Sequence, residues 1–100
     1  MKIFLDDLRT APDGWEVARD YNDMIRLLTA NRNNISEISL DYDLDNVRNG
    51  LSVCEWIVAN NCWPKKIIIH SSHRTGVKYM KELLEKNKPE DTELILSPRL

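Results

Sequence analysis

The sequence predicts a single α/β domain over residues 1–100, built on a five-stranded, mostly parallel sheet with helices on both faces. Three observations lead there. Short apolar runs of strand-forming character recur along the chain, and segments with helical spacing of apolar residues alternate with most of them. No internal repeat, low-complexity tract or composition shift marks a linker, and 100 residues suffice for one core. Finally, most residues capable of chemistry fall at the carboxyl ends of the predicted strands, where open α/β sheets bind ligands.

The elements follow in order. "KIFL" is short and apolar and reads as a buried strand ending at Asp6 and Asp7. "RTAPDGW" concentrates Pro and Gly and reads as loop, and "EVAR" as a weak second strand. Asp20 is a helix N-cap candidate with Asp23 three residues on, and Met24, Ile25, Leu27 and Leu28 repeat at helical spacing up to "NRNN". "ISEISL" is the third strand. Asn49 and Gly50 lead into a second helix with Leu51, Cys54, Ile57 and Val58 on one face. "KKIII" is the fourth strand. Val77, Met80, Leu83 and Leu84 mark a third helix stopped near Asn87 by Pro89, and "ELIL" is the fifth strand. The first connection, "DLRTAPDGW", is shorter than the dozen residues a parallel crossover usually takes. It either crosses as an extended loop, which we favour, or the second strand pairs differently.

Composition excludes several classes. A hydrophobic content of 42% with three glycines describes an ordinary globular chain. The net charge of −2 argues against extended nucleic-acid binding, and the band of Lys65, Lys66, Arg74, Lys78 and Lys81 reads as solvated surface. No apolar run is long enough to span a bilayer, and "MKIFLDD" lacks the pattern of a signal peptide. Cys54 and Cys62 are too few for a disulfide framework and have no nearby ligands at metal spacing. A cytoplasmic protein with reduced thiols is expected.

The strand ends supply the candidate site: Asp6, Asp7 and Arg9 after the first strand, Asp41 and Asp43 after the third, His70, Ser71 and Ser72 after the fourth, Ser97 after the fifth. Two adjacent carboxylates beside an apolar run repel each other and are costly to bury without a cation. Asp6, Asp7 and Asp41 offer the hard oxygen donors that magnesium, or manganese, prefers. Arg9 is a surface residue or a planar fork for a phosphate. Asp43 caps a turn or, two residues beyond Asp41, shares its side of the strand. His70 is a satisfied core histidine or a general acid or base oriented by Asp43. Ser71 and Ser72 cap the next helix or donate to a phosphoryl oxygen. The tryptophans are packing residues, although Trp15 could stack on a base.

The acidic pair, Asp41 and a serine after the fourth strand resemble a response-regulator receiver domain, a flavodoxin-like fold, over nearly the whole chain. In that family the pair and the third-strand Asp hold magnesium, and that Asp accepts a phosphoryl group. Here the first helix is replaced by a loop, and "SPRL" stands where a Lys follows the fifth strand of receivers. The fuller pattern, "FLDDLR", Trp15, "SLDYDL", Gly50, Trp56 and "IHSS", more closely resembles the cyclic-phosphate processing receiver domains. The resemblance implies a magnesium-dependent pocket acting on a cyclic phosphate ester, a nucleotide or an RNA end. The alternative is a degenerate receiver that binds a phosphorylated ligand or protein partner without turnover.

Overall fold

The computed structural model describes residues 1–45 and 47–97. Its elements are β1 (Lys2–Leu5), β2 (Glu16–Ala18), α1 (Tyr21–Ala30), β3 (Glu37–Leu40), α2 (Gly50–Asn60), β4 (Lys66–Ile69), α3 (Arg74–Asn87) and β5 (Glu93–Leu96). The strands form one sheet in the order β2-β1-β3-β4-β5, every neighbouring pair parallel. The predicted α/β class holds, and the first connection does cross as a loop. The winding direction reverses between β1 and β3, so the end of that strand pair is the crevice where such folds place ligands.

The covering of the sheet differs from expectation. Ile3, Leu5, Ile38, Leu40, Ile67 and Ile69 alternate onto one face and share a core with Met24 and Leu28 of α1, Val53, Cys54 and Ile57 of α2, and Met80 and Leu84 of α3. All three helices therefore lie on that face. The reason is topological: the connections β2→β3, β3→β4 and β4→β5 advance in the same direction, and right-handed crossovers then fall on the same side. The second face has no helix among the described residues, because the one connection running the other way is the loop. There Trp15 packs edge-on against Phe4, with centroids 6.4 Å apart. The first residues of the strands form a charge row, with Lys2 to Glu37 at 3.0 Å and Lys66 to Glu37 at 3.2 Å. None of the described helices is long and apolar enough to cross a membrane. Cys54 and Cys62 are buried free thiols.

Caps set the helix starts that aim the loops. Asp20 accepts from the Asp23 N–H at 2.8 Å. Asn49 and Ser52 form a reciprocal capping box at α2. At α3 the cap is His73, whose Nδ1 accepts from the Gly76 N–H at 2.9 Å, rather than Ser71 or Ser72. On α2 the buried stripe is Val53, Cys54 and Ile57, with Leu51 and Val58 only half-buried, because this central helix packs against both α1 and α3.

Two glycines let the helices reach the loop after β3. A Cβ on Gly50 would lie 2.1 Å from the Asp41 carbonyl oxygen, and one on Gly76 would lie 2.3 Å from the Tyr42 ring. The Gly50 N–H also donates to the Tyr42 carbonyl at 2.8 Å. Gly50→Ala should therefore lower unfolding free energy by about 1–3 kcal/mol, the usual cost of forced overpacking. Denaturant titration checks this, and a change below about 0.5 kcal/mol would mean the Asp41–Tyr42 backbone moves freely.

Candidate functional site

The site begins as a continuation of the sheet. The ladder runs one residue past each strand: Asp6 N–H donates to Ala18 O, Asp41 N–H to Leu5 O, His70 N–H to Leu40 O and Ser97 N–H to Ile69 O, at 2.9 to 3.0 Å. Asp6, Asp41, His70 and Ser97 thus stand abreast, and strand alternation sends their side chains toward the face without helices. Beyond them opens a cavity of about 440 Å³ lined by Asp6, Asp7, Leu8, Arg9, Asp41, Asp43, Asp45, His70, Ser71 and Ser72. Every candidate of the sequence except Ser97 lines it.

Asp6 is the most constrained member, 2% exposed. Its Oδ1 accepts from the N–H groups of Leu8 and Arg9, each at 2.9 Å, which curls the chain after β1 into a tight turn. Its Oδ2 lies 3.0 Å from His70 Nε2. Arg19 clamps the turn from outside, Nη1 donating to the carbonyls of Asp6 at 3.0 Å and Arg9 at 2.7 Å. Burial raises the Asp6 carboxyl pKa, but the backbone bonds from Arg9 and Leu8 and the His70 bond together outweigh it and hold it below the ordinary value.

His70 is 1% exposed, stacked nearly parallel on Phe4 with centroids 4.7 Å apart. Ser39 Oγ lies 2.7 Å from its Nδ1. An ionised Asp6 only accepts, so Nε2 carries the proton and donates to it, and the Ser39 hydroxyl donates to Nδ1. Burial, the largest influence, lowers the His70 pKa despite the nearby Asp6 and Asp41 carboxylates, so the ring is neutral at pH 7. Its orientation comes from Ser39 and Asp6, not from Asp43, which is exposed on the cleft wall.

Asp41 has the opposite balance. Burial raises its pKa and the Asp6 charge adds to that, against hydrogen bonds from Ser71 and the Tyr42 backbone. Ligand atoms of Asp6, Asp41 and His70 lie within 4.8 Å of one another. Asp7 is half-buried in the cavity wall and stands outside that trio. Both His70 nitrogens are already engaged, so the donors facing the cleft are carboxylate oxygens of Asp6, Asp41 and Asp7. An oxygen set with one carboxyl raised by burial and, less, by its neighbour's charge fits a hard divalent cation. Arg9, exposed, places Nε 3.9 Å from Asp6 Oδ2.

Sequence reasoning missed Ser39, Arg19, Asp45 and Leu8. Ser39 left a signal: it sits between Ile38 and Leu40, two residues before Asp41, and so on the same side of β3. Trp15, a candidate for base stacking, is taken up by Phe4.

The raised Asp41 carboxyl makes stability depend on pH in a definite sense. A carboxyl easier to protonate when folded opposes folding once it is ionised; this cost is full above its folded pKa, shrinks as pH falls below it, and is gone below the ordinary carboxylate value. Asp41→Asn should therefore melt higher than the wild type at pH 7 without divalent metal, and the gap should narrow in acid. Calorimetry in a chelating buffer measures it; a lower melting temperature at pH 7 would show that Ser71 and Tyr42 fully compensate the charge.

A family described as the cyclic-phosphate processing receiver domain matches residues 1–86, from the first strand into the last turn of α3. No curated protein and no solved structure matches. The match spans every residue of the cavity, and by it the chain belongs to the family of cyclic-phosphate processing receiver domains.

Proposed function

We propose that the cleft holds magnesium or manganese on the carboxylates of Asp6, Asp41 and Asp7 and binds a cyclic phosphate ester, which it hydrolyses. The observation that carries this is the pair of crowded carboxylates, Asp6 and Asp41, at the floor of a cavity that also presents Arg9 and Ser71. The family's description supplies the substrate class. A bound divalent ion would supply positive charge to a phosphoryl oxygen. The chain's own residues do the rest. Arg9 offers a fork to the phosphoryl group. Ser71 donates to Asp41 and keeps its carboxylate aimed into the cleft. Asp43, exposed on the wall, accepts the proton of the attacking water. That water's oxygen bonds to phosphorus as one ring P–O bond breaks, and the proton that Asp43 accepted passes to the released ring oxygen, giving a phosphate monoester and an alcohol and restoring Asp43. In this reading His70 positions Asp6 rather than serving as the acid or base, since both of its nitrogens are held in hydrogen bonds, to Ser39 and to Asp6.

One observation favours a second reading, a binding module without turnover. The site's histidine is fully occupied, and "SPRL" supplies no lysine after β5; its last three residues lie outside the described ones. In that reading the same cleft captures a phosphorylated ligand or a protein partner.

Magnesium or manganese should raise the melting temperature, and Asp6→Asn combined with Asp41→Asn should abolish the rise; a full rise in the double variant would remove the metal site. Incubating the wild type with 2',3'-cyclic and 3',5'-cyclic nucleotides and metal then separates the readings, since stabilisation without monoester release identifies the binding module. His70→Gln should lower the melting temperature and weaken the metal response together. Loss of turnover by about 10²- to 10⁴-fold with both of those unchanged would restore His70 as the acid or base.

A further inference from the structure

The loop between β3 and α2 divides the surface at the carboxyl end of the sheet. Asp43 and Asp45 on it line the acidic cleft, while Val47 and Arg48 line a second cavity of about 370 Å³ completed by Tyr21 and Asn22 in the first turn of α1. Asp45 and Val47 are two residues apart, so their Cα atoms lie within about 7 Å of each other and the cavities are neighbours. Their chemistry differs sharply. Among the described residues the second cavity contains no carboxylate; it offers a phenol ring, a guanidinium and a side-chain amide. The Arg48 guanidinium lies over the Tyr21 ring, 4.6 Å from its centroid. Arg48 is exposed, and among the described residues no carboxylate pairs with it.

We propose that this second cavity is a nucleobase subsite, which makes the ester of the acidic cleft a nucleoside cyclic phosphate rather than that of a bare polyol or lipid. The inference rests on the reading of the acidic cleft given above. A planar base stacks on a guanidinium and on an aromatic ring, and here the exposed Arg48 guanidinium and the Tyr21 ring, its centroid 4.6 Å away, offer both to a base. The Asn22 amide provides a donor and an acceptor for a base edge. A second phosphate would also be drawn to Arg48, but a lone cation backed by an aromatic ring suits a flat π system better than a dianion. Asp45 of one lining and Val47 of the other are close along the chain, so one small molecule would place its phosphate in the first subsite and its base in the second.

The test compares two probes, adenosine 2',3'-cyclic phosphate and the base-less ethylene cyclic phosphate, titrated into the full chain with magnesium and, separately, with manganese, and followed by calorimetry. The readout is the ratio of their dissociation constants. The wild type should prefer the nucleotide by about tenfold or more, the scale of one stacked base. Arg48→Ala and Tyr21→Leu should each bring the ratio toward one. Tyr21→Phe, which keeps the ring, should retain the preference and controls for packing, since Tyr21 rests partly on the core. A wild-type ratio near one, or a ratio unchanged in Arg48→Ala, overturns the subsite while leaving the acidic cleft standing. Failure of both probes to bind the wild type with either metal overturns the reading of the cleft, and the subsite falls with it.

Discussion

A carboxylate buried at the end of β1 is the constraint around which the rest of this surface is arranged. Left alone, the charge of Asp6 would cost several kcal/mol. It is answered without a buried cation, by two loop N–H groups on one oxygen and the neutral His70 ring on the other. To make that bond His70 leans from β4 across β3 to β1, and it stacks on Phe4 along the way. The residue beneath its path is Ser39, in register between Phe4 and Ile68. A large side chain at that position would block the stacking. Serine is small enough to pass beneath the ring and supplies the hydroxyl for its second nitrogen. One hydrogen-bonded chain, Ser39 to His70 to Asp6, thereby ties three neighbouring strands at the end where the cleft opens.

Much of this was legible in the sequence, for physical reasons. The parallel strands announced themselves as near-continuous apolar runs because both of their faces are largely covered, and the candidate residues were found by asking only what stands where those runs end. The helix starts at Asp20 and Asn49 carried their capping chemistry in residue type. What the sequence hid were relations across the sheet. That His70 bonds Ser39 and Asp6 depends on register, and 31 and 64 residues separate those partners along the chain. Arg19 looked like the last residue of a weak strand, and only the β1–β2 pairing brings it beside the Asp6 turn. The expectation of helices on both faces followed from the alternation of elements, which is blind to the direction in which each connection advances.

The replacement of a first helix by a loop has a consequence for the cleft. Because the side chains of Asp6, Asp41 and His70 leave on the face without helices, that loop is the nearest covering they have. Its start, Asp6 to Arg9, forms the wall of the cavity, and its end places Trp15 against Phe4, the ring on which His70 rests. The same segment therefore shapes the cavity-facing side of Asp6 and supports the histidine behind it. Leu8, 86% exposed at the rim, is the apolar exception in an otherwise polar wall.

Asp6 and Asp41 divide a task that two like carboxylates could not share equally. Asp6 is held ionised by donors that belong to the fold, so its charge is permanent and its position rigid. Asp41 bears the electrostatic consequence: it is half-buried and faces that fixed charge, and the Ser71 hydroxyl, the Tyr42 backbone amide and nearby His70 do not outweigh its burial. Two equally satisfied carboxylates would leave the cleft with little demand for a cation, and two equally unsatisfied ones would destabilise the strand ends or share a proton. The asymmetry satisfies Asp6 within the fold and leaves Asp41 as the carboxylate whose ionised form is disfavoured. In the proposed function, the affinity for a cation would come from this difference between two neighbouring aspartates, which the histidine helps to maintain.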